Sequence, residues 1–174
     1  MNAAKQSIIL ILILISFNCK TVEKVSEKNT KEYYKTGELK ATGLIEEDFS
    51  KYSNYRKGLW KEFYKSGKQK ESGNYKLDTY TNCCTGGICE TYYSYKYGEW
   101  LYYHENGKLK AKGIYKIIKK HKKTSCEGGD KINYGVIDNS WKFFDLKGNK
   151  IEPTEKNISE IQKRSVLDSW DMTN

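Results

Sequence analysis

The sequence contains a single proline, Pro153, and two histidines, His104 and His121, in 174 residues. A chain this poor in proline holds no Pro-rich linker. Neither histidine sits in a recognisable catalytic pattern: one lies in an aromatic run, the other among lysines. There is no Gly-x-Ser-x-Gly elbow, no His-Glu-x-x-His, and no phosphate-cradling glycine loop with Lys. Acids such as Glu46, Glu47 and Asp48 read as a turn. Enzymatic activity, cofactor and metal are therefore not expected; a hydrolase whose carboxylates meet only on folding is a minor alternative. Aliphatic residues are sparse after residue 18, which excludes a large globular core.

What is present is aromatic and basic. Fifteen Tyr and 4 Trp, with 31 Lys and Arg against 22 Asp and Glu, give a formal net charge of +9. Mean hydropathy is -0.82. Disordered chains are poor in aromatics, so disorder is excluded. Aromatic, β-prone residues among lysines and glycines predict thin antiparallel sheet. The charge favours an anionic partner or surface.

The chain starts with Lys5 and an uninterrupted apolar run of eight residues, Ile8 to Ile15. A positive n-region before a short apolar stretch is a secretory pattern, and a bilayer-spanning helix needs about 20 apolar residues. Residues 1–18 are read as a signal peptide. Ile15-Ser16-Phe17-Asn18-Cys19 resembles a bacterial lipobox, in which Cys19 becomes the diacylated first residue; ordinary cleavage leaving a free Cys19 is the alternative. Asn18 stands where that pattern usually has Gly or Ala. Several acyl chains on one cysteine hold a protein firmly to a membrane. Lys20, rather than an acid, points to the outer membrane. Residues 19–30 form the lipidated cysteine and a charged tether, and residues 31–152 the folded domain.

Self-similarity organises that domain. Gly58, Trp60, Phe63, Gly67, Gly73 and Tyr75 recur at identical offsets as Gly98, Trp100, Tyr103, Gly107, Gly113 and Tyr115. Residues 30–45 keep Tyr33, Gly37 and Gly43 but lack the Trp, and residues 139–148 are a truncated last copy with Trp141 and Gly148. Each copy reads as a β-hairpin closed by a tight primed turn at its first glycine after the aromatic run. After it, Leu109 and Ala111 alternate with Lys108, Lys110 and Lys112, as Lys68 and Lys70 do in the preceding copy. A period of two places the lysines on one face, as a row running across stacked hairpins. Residues 153–174 are a helix and tail: Thr154 as cap, with Ile158, Ile161 and Val166 or Leu167 as a partial apolar stripe covering the sheet end.

These copies resemble the variant MORN repeat of bacterial proteins, the YwqK-like antitoxin family, over about residues 31–151. The resemblance implies an all-β array of antiparallel hairpins forming a meandering sheet, here with a short C-terminal helix. Two insertions, Leu77–Tyr97 and Ile117–Asp138, interrupt the repeat period. The antitoxin role that the label implies does not suit an exported protein and is a minor alternative.

The insertions hold Cys83, Cys84, Cys89 and Cys126. In an oxidising envelope an even set reads as two disulfides, with three pairings open and at least one bridge joining the Cys83–Cys89 loop to Cys126. A four-thiolate zinc site is the alternative, disfavoured by adjacent Cys83 and Cys84. Lys119, Lys120, Lys122 and Lys123 form the densest basic run, either a solvated loop or a surface for anionic headgroups. Nucleic acid, the other partner of basic aromatic surfaces, is argued against by location. Tyr92, Tyr93, Tyr95 and Tyr97 make either a sugar- or peptide-binding platform or simply cross-strand pairs, the latter being favoured. The expectation is a membrane-anchored, non-catalytic scaffold binding protein or anionic lipid in the cell envelope; a glycan- or peptide-binding module is the alternative.

Overall fold

A glycine opposite a tryptophan, repeated along the chain, sets how consecutive hairpins stack. The computed structural model describes residues 27–47, 54–163 and 165–168. Residues 1–26, which hold the expected signal peptide, Cys19 and most of the expected tether, lie outside the described residues. In chain order the elements are β1 (Glu27–Tyr33), β2 (Leu39–Glu47), β3 (Asn54–Phe63), β4 (Gln69–Cys84), β5 (Gly87–Tyr103), β6 (Leu109–Lys122), β7 (Asp130–Val136), β8 (Lys142–Phe144), β9 (Lys150–Ile151), α1 (Glu155–Gln162) and β10 (Val166–Asp168). They form one antiparallel meander in the order β1-β2-β3-β4-β5-β6-β8-β9, with β7 added to β6 and β10 added to β5. The all-β array of hairpins with a short C-terminal helix is thus the observed architecture.

Each turn is built alike. The N–H of Gly37, Gly67, Gly107 and Gly148 donates to the carbonyl three residues earlier, and all four glycines have φ between 78 and 97°. The positive φ is as read from the sequence. The loop, however, holds three residues rather than two: Tyr64 N–H pairs with Lys68 O across residues 65–67. Neighbouring turns are then stitched together. Tyr34 and Tyr64 hydroxyls donate to Phe63 O and Tyr103 O at 2.7 Å each, and His104 Nε2 bonds Phe144 O at 2.9 Å.

The second glycine of each copy has a different task. A methyl group built on Gly43, Gly73 or Gly113 would fall 2.4, 2.2 or 2.3 Å from the indole of Trp60, Trp100 or Trp141. Each indole therefore lies flat on the bare backbone of the preceding hairpin. Its Nε1 donates to the carbonyl just after that glycine: Leu44 at 2.8 Å, Asn74 at 3.3 Å, Ile114 at 3.1 Å. This explains the atypical ends. Thr30 occupies the Trp position of the first copy, where no earlier glycine exists, and Thr154 occupies the packing-glycine position of the last.

The tryptophan face is the core, with Ala41, Ala111, Tyr75, Tyr115 and Phe143 around the indoles and Ile161 of α1 laid on it. Two cations are sealed into this face, each four residues before a tryptophan. Arg56 lies 4.1 Å from the Trp60 ring centroid and bonds Glu62 at 2.7 Å and Glu32 at 3.1 Å. Lys96, wholly buried, lies 3.8 Å from the Trp100 centroid and bonds Glu71 at 2.9 Å and Tyr102 OH at 3.0 Å. Burial works against the charge of Arg56, but Tyr75, Glu62 and Glu32 outweigh it and hold the guanidinium charged. The third copy has Ile137 at this place, packed on the cluster. A thin sheet thus gets its interior from aromatic rings and paired charges rather than aliphatic bulk.

Helix α1 starts at the expected cap: Thr154 accepts from Asn157 N–H and Asn157 returns the bond. It ends earlier than the apolar stripe implied. Val166 and Leu167 belong to β10, paired with Tyr95 and Ser94 of β5, because β6 has left β5 there and its edge needs a partner.

Candidate binding surface

The insertions do not interrupt the stack; they lengthen its strands. Beyond the Gly58–Tyr75 pair, β3 turns away from β4, and β4 and β5 continue as a ribbon to Cys84 and Gly87. Beyond the Gly98–Tyr115 pair, β6 leaves β5 and forms a hairpin with β7 from Lys116–Val136 to Lys122–Asp130. The two extensions pack on each other through Tyr80, Tyr93, Tyr95 and Ile132.

Four cysteines lock this packing. Cys83 is bridged to Cys126 and Cys84 to Cys89, with Cα separations of 4.9 and 6.0 Å. The first joins the two insertions, as expected from their positions; with all four sulfurs paired, the zinc alternative has no thiolates. Beside the cross-bridge, Ser125 Oγ accepts from Cys83 N–H at 2.9 Å and donates to Cys83 O at 2.7 Å. It acts as a one-residue strand partner. The outer edge of β4 is capped further by Asp78 Oδ1 on Thr79 N–H and Asp130 Oδ2 on Thr81 N–H. Gln162 does the same for β7, accepting from Ile137 N–H and donating to Gly135 O. Edges capped by side chains do not invite strand addition.

Two of the four tyrosines take the favoured structural role and are lost to a platform. Tyr93 and Tyr95 are buried at 1% and 3% exposure, and the Tyr93 hydroxyl is tied to Asp78 and to Asn133 N–H. Burial, with Asp78 nearby, pushes the Tyr93 phenol well above its ordinary range. These two rings stabilise the insertion, Tyr95 adding a small part of a groove wall, while Tyr92 and Tyr97 are the more exposed of the four. They line an open groove of ≈ 640 Å³ in the fork where β3 parts from β4. Glu46, Lys57, Lys76, Asp78 and Ile117 line it too. Lys57 is paired with Glu46 at 3.1 Å. Nothing in the sequence marked the groove, because its walls come from β2, β3, β4, β5 and β6.

The lysine row needs correction. In the β5–β6 ladder Tyr103 pairs Leu109 and Tyr102 pairs Ala111, so Lys110 sits in a bulge and strict alternation fails. Lys40 and Lys70 occupy the same bulge in the earlier copies. Lys110 Nζ reaches Glu160 of α1 at 2.7 Å, and Lys108 Nζ holds Lys147 O at 2.8 Å, as Lys68 holds Asn106 O. Lys112 stays in register, opposite Leu101 and Lys142, and is half-buried. These lysines join hairpins and α1; they are not one free row.

The basic run is different. Lys119, Lys120 and Lys123 are exposed, as are Lys116 and Lys131, while Lys122 is half-buried with Nζ 4.9 Å from the Tyr80 ring. Residues 116–131 carry six lysines against Glu127 and Asp130. Ile117 and Ile118 are 42% and 45% exposed beside them. The base of the hairpin is pinned by Lys116 to Asp138, whose carboxyl is lowered to about 2 by bonds from Lys116 and Ser140. The run is mostly part of a two-stranded ribbon rather than a loop, with Lys123 just past the end of β6. No family model, curated protein or solved structure matches this chain.

Proposed function

We propose that this chain is an envelope lipoprotein: residues 1–18 are a signal peptide, Cys19 carries the lipid, and a MORN-like array serves as a non-catalytic scaffold at the outer membrane. In this reading the scaffold presents the β6–β7 hairpin to an anionic lipid surface; a protein with an acidic face is the alternative partner. The carrying observation is that this hairpin concentrates exposed ammonium groups next to exposed Ile117 and Ile118. Disulfide bridging to the β4–β5 ribbon suits an oxidising compartment and keeps the hairpin's position fixed. Each lysine near an anionic bilayer contributes about 1 kcal/mol.

The test uses the purified chain with Cys19→Ala, so that no acyl group contributes, and vesicles of phosphatidylcholine with and without phosphatidylglycerol. Binding is expected only to the anionic vesicles and to weaken steeply with salt. Replacing Lys119, Lys120 and Lys123 together by Ser removes about 3 kcal/mol, roughly a hundredfold in affinity. Absence of binding at low salt, or equal binding to neutral vesicles, refutes the lipid reading.

A further inference from the structure

We infer that the groove in the β3–β4 fork is a binding site for a neutral, β-linked, gluco-configured oligosaccharide. The groove is separate from the exposed basic ribbon, touching it only at Ile117. Its charge is balanced: Glu46 and Asp78 carry two negative charges, Lys57 and Lys76 two positive ones. A polyanion gains nothing there over the neighbouring ribbon, whereas a neutral polar ligand meets acceptors and donors of both kinds.

The remaining chemistry narrows the class. Tyr97 is 37% exposed, and the hydroxyls of Tyr92 and Tyr97 meet no hydrogen-bonding partner among the described residues. Rings that are part-exposed and carry a free hydroxyl offer an apolar face and a polar rim together. A gluco-configured pyranose is their complement, with axial C–H bonds on its faces and hydroxyls around its edge. β-Linked units lie as a flat ribbon, which suits an open groove rather than a closed pocket. An extended peptide fits less well. The Thr79 and Thr81 N–H groups on the outer edge of β4 are already taken by Asp78 and Asp130, so strand addition has few donors left.

The experiment is titration of the ¹⁵N-labelled full chain with cellopentaose and, separately, chitopentaose, followed by amide shifts. Saturable shifts confined to the fork are expected, with affinity unchanged between roughly 50 and 500 mM salt. Tyr97→Ala should weaken binding about tenfold, while Tyr97→Phe and the lysine-to-serine ribbon variant retain it to within about twofold. Tyr97→Phe keeps the ring, so its retained shifts separate loss of stacking from loss of fold. The inference is overturned if neither saccharide gives saturable shifts, or if folded Tyr97→Ala and Tyr92→Ala bind as well as the parent. Because the ribbon variant is expected to weaken vesicle binding about a hundredfold and to leave saccharide binding within about twofold, failure of either reading is distinguishable from failure of the other.

Discussion

Gly73→Ala tests the stacking rule on which the whole array rests. The added methyl would sit 2.2 Å from Trp100 Cδ2. A normal carbon–carbon contact is about 3.7 Å, so the indole must retreat by about 1.5 Å or the strands must part. The ring has little room to move: it is 1% exposed, with Tyr75 edge-on at 5.2 Å and Lys96 over its other side at 3.8 Å. Retreat also lengthens the already long 3.3 Å bond from Nε1 to Asn74 O. Overpacking costs about 1–3 kcal/mol and leaving a buried N–H unsatisfied a similar amount. Gly73 is outside the left-handed region, so alanine regains about 0.4–1 kcal/mol by restricting the unfolded chain. The expected net loss is about 3 kcal/mol, read from urea unfolding followed by circular dichroism. The decisive comparison is the same change in a Trp100→Ala background, where alanine at position 73 should be neutral or mildly stabilising. A loss below about 0.5 kcal/mol in the parent, or an undiminished loss without the indole, refutes the reasoning.

Two further perturbations probe the interior and the tyrosines. Lys96→Met leaves Glu71, 2% exposed, without its ammonium partner and should cost about 3–5 kcal/mol in urea unfolding; Lys96→Met with Glu71→Leu should recover most of it, and failure to recover would show that the pair itself stabilises the fold. Tyr93 and Tyr102 are raised above 10.0 mainly by burial, so the fold holds them neutral; their contribution is complete below pH about 10 and lost as pH rises above it. Urea midpoints should therefore fall from pH about 10 upward, and less steeply in Tyr93→Phe; an identical slope in that variant would remove Tyr93 from the account.

Much of the architecture was legible because it is local. The recurrence of Trp60 as Trp100, and of Gly67 and Gly73 as Gly107 and Gly113, specifies strand, turn and strand without reference to the rest of the chain. Thr154 as a cap was readable for the same reason; the bridge between the insertions, 43 residues apart, was expected instead from an even set of cysteines. The lysine row was misread because a bulge at Lys110 adds one residue to a strand, and a single added residue undoes a period-two assignment. Val166 and Leu167 were misread because the unpaired edge of β5 outweighs a weak helical stripe.

By itself the amino-acid order determined that this protein is a chain of hairpins, with turns where glycine accepts positive φ and strands where aromatic, β-prone residues recur. Only the tertiary structure decided what the second glycine is for, which tyrosines are buried, and that a fork between β3 and β4 opens a groove. The physical reason is range. Turn and strand preferences act over a few neighbouring residues, whereas ring-on-backbone contact, burial and groove walls join positions tens of residues apart that meet only after the hairpins stack.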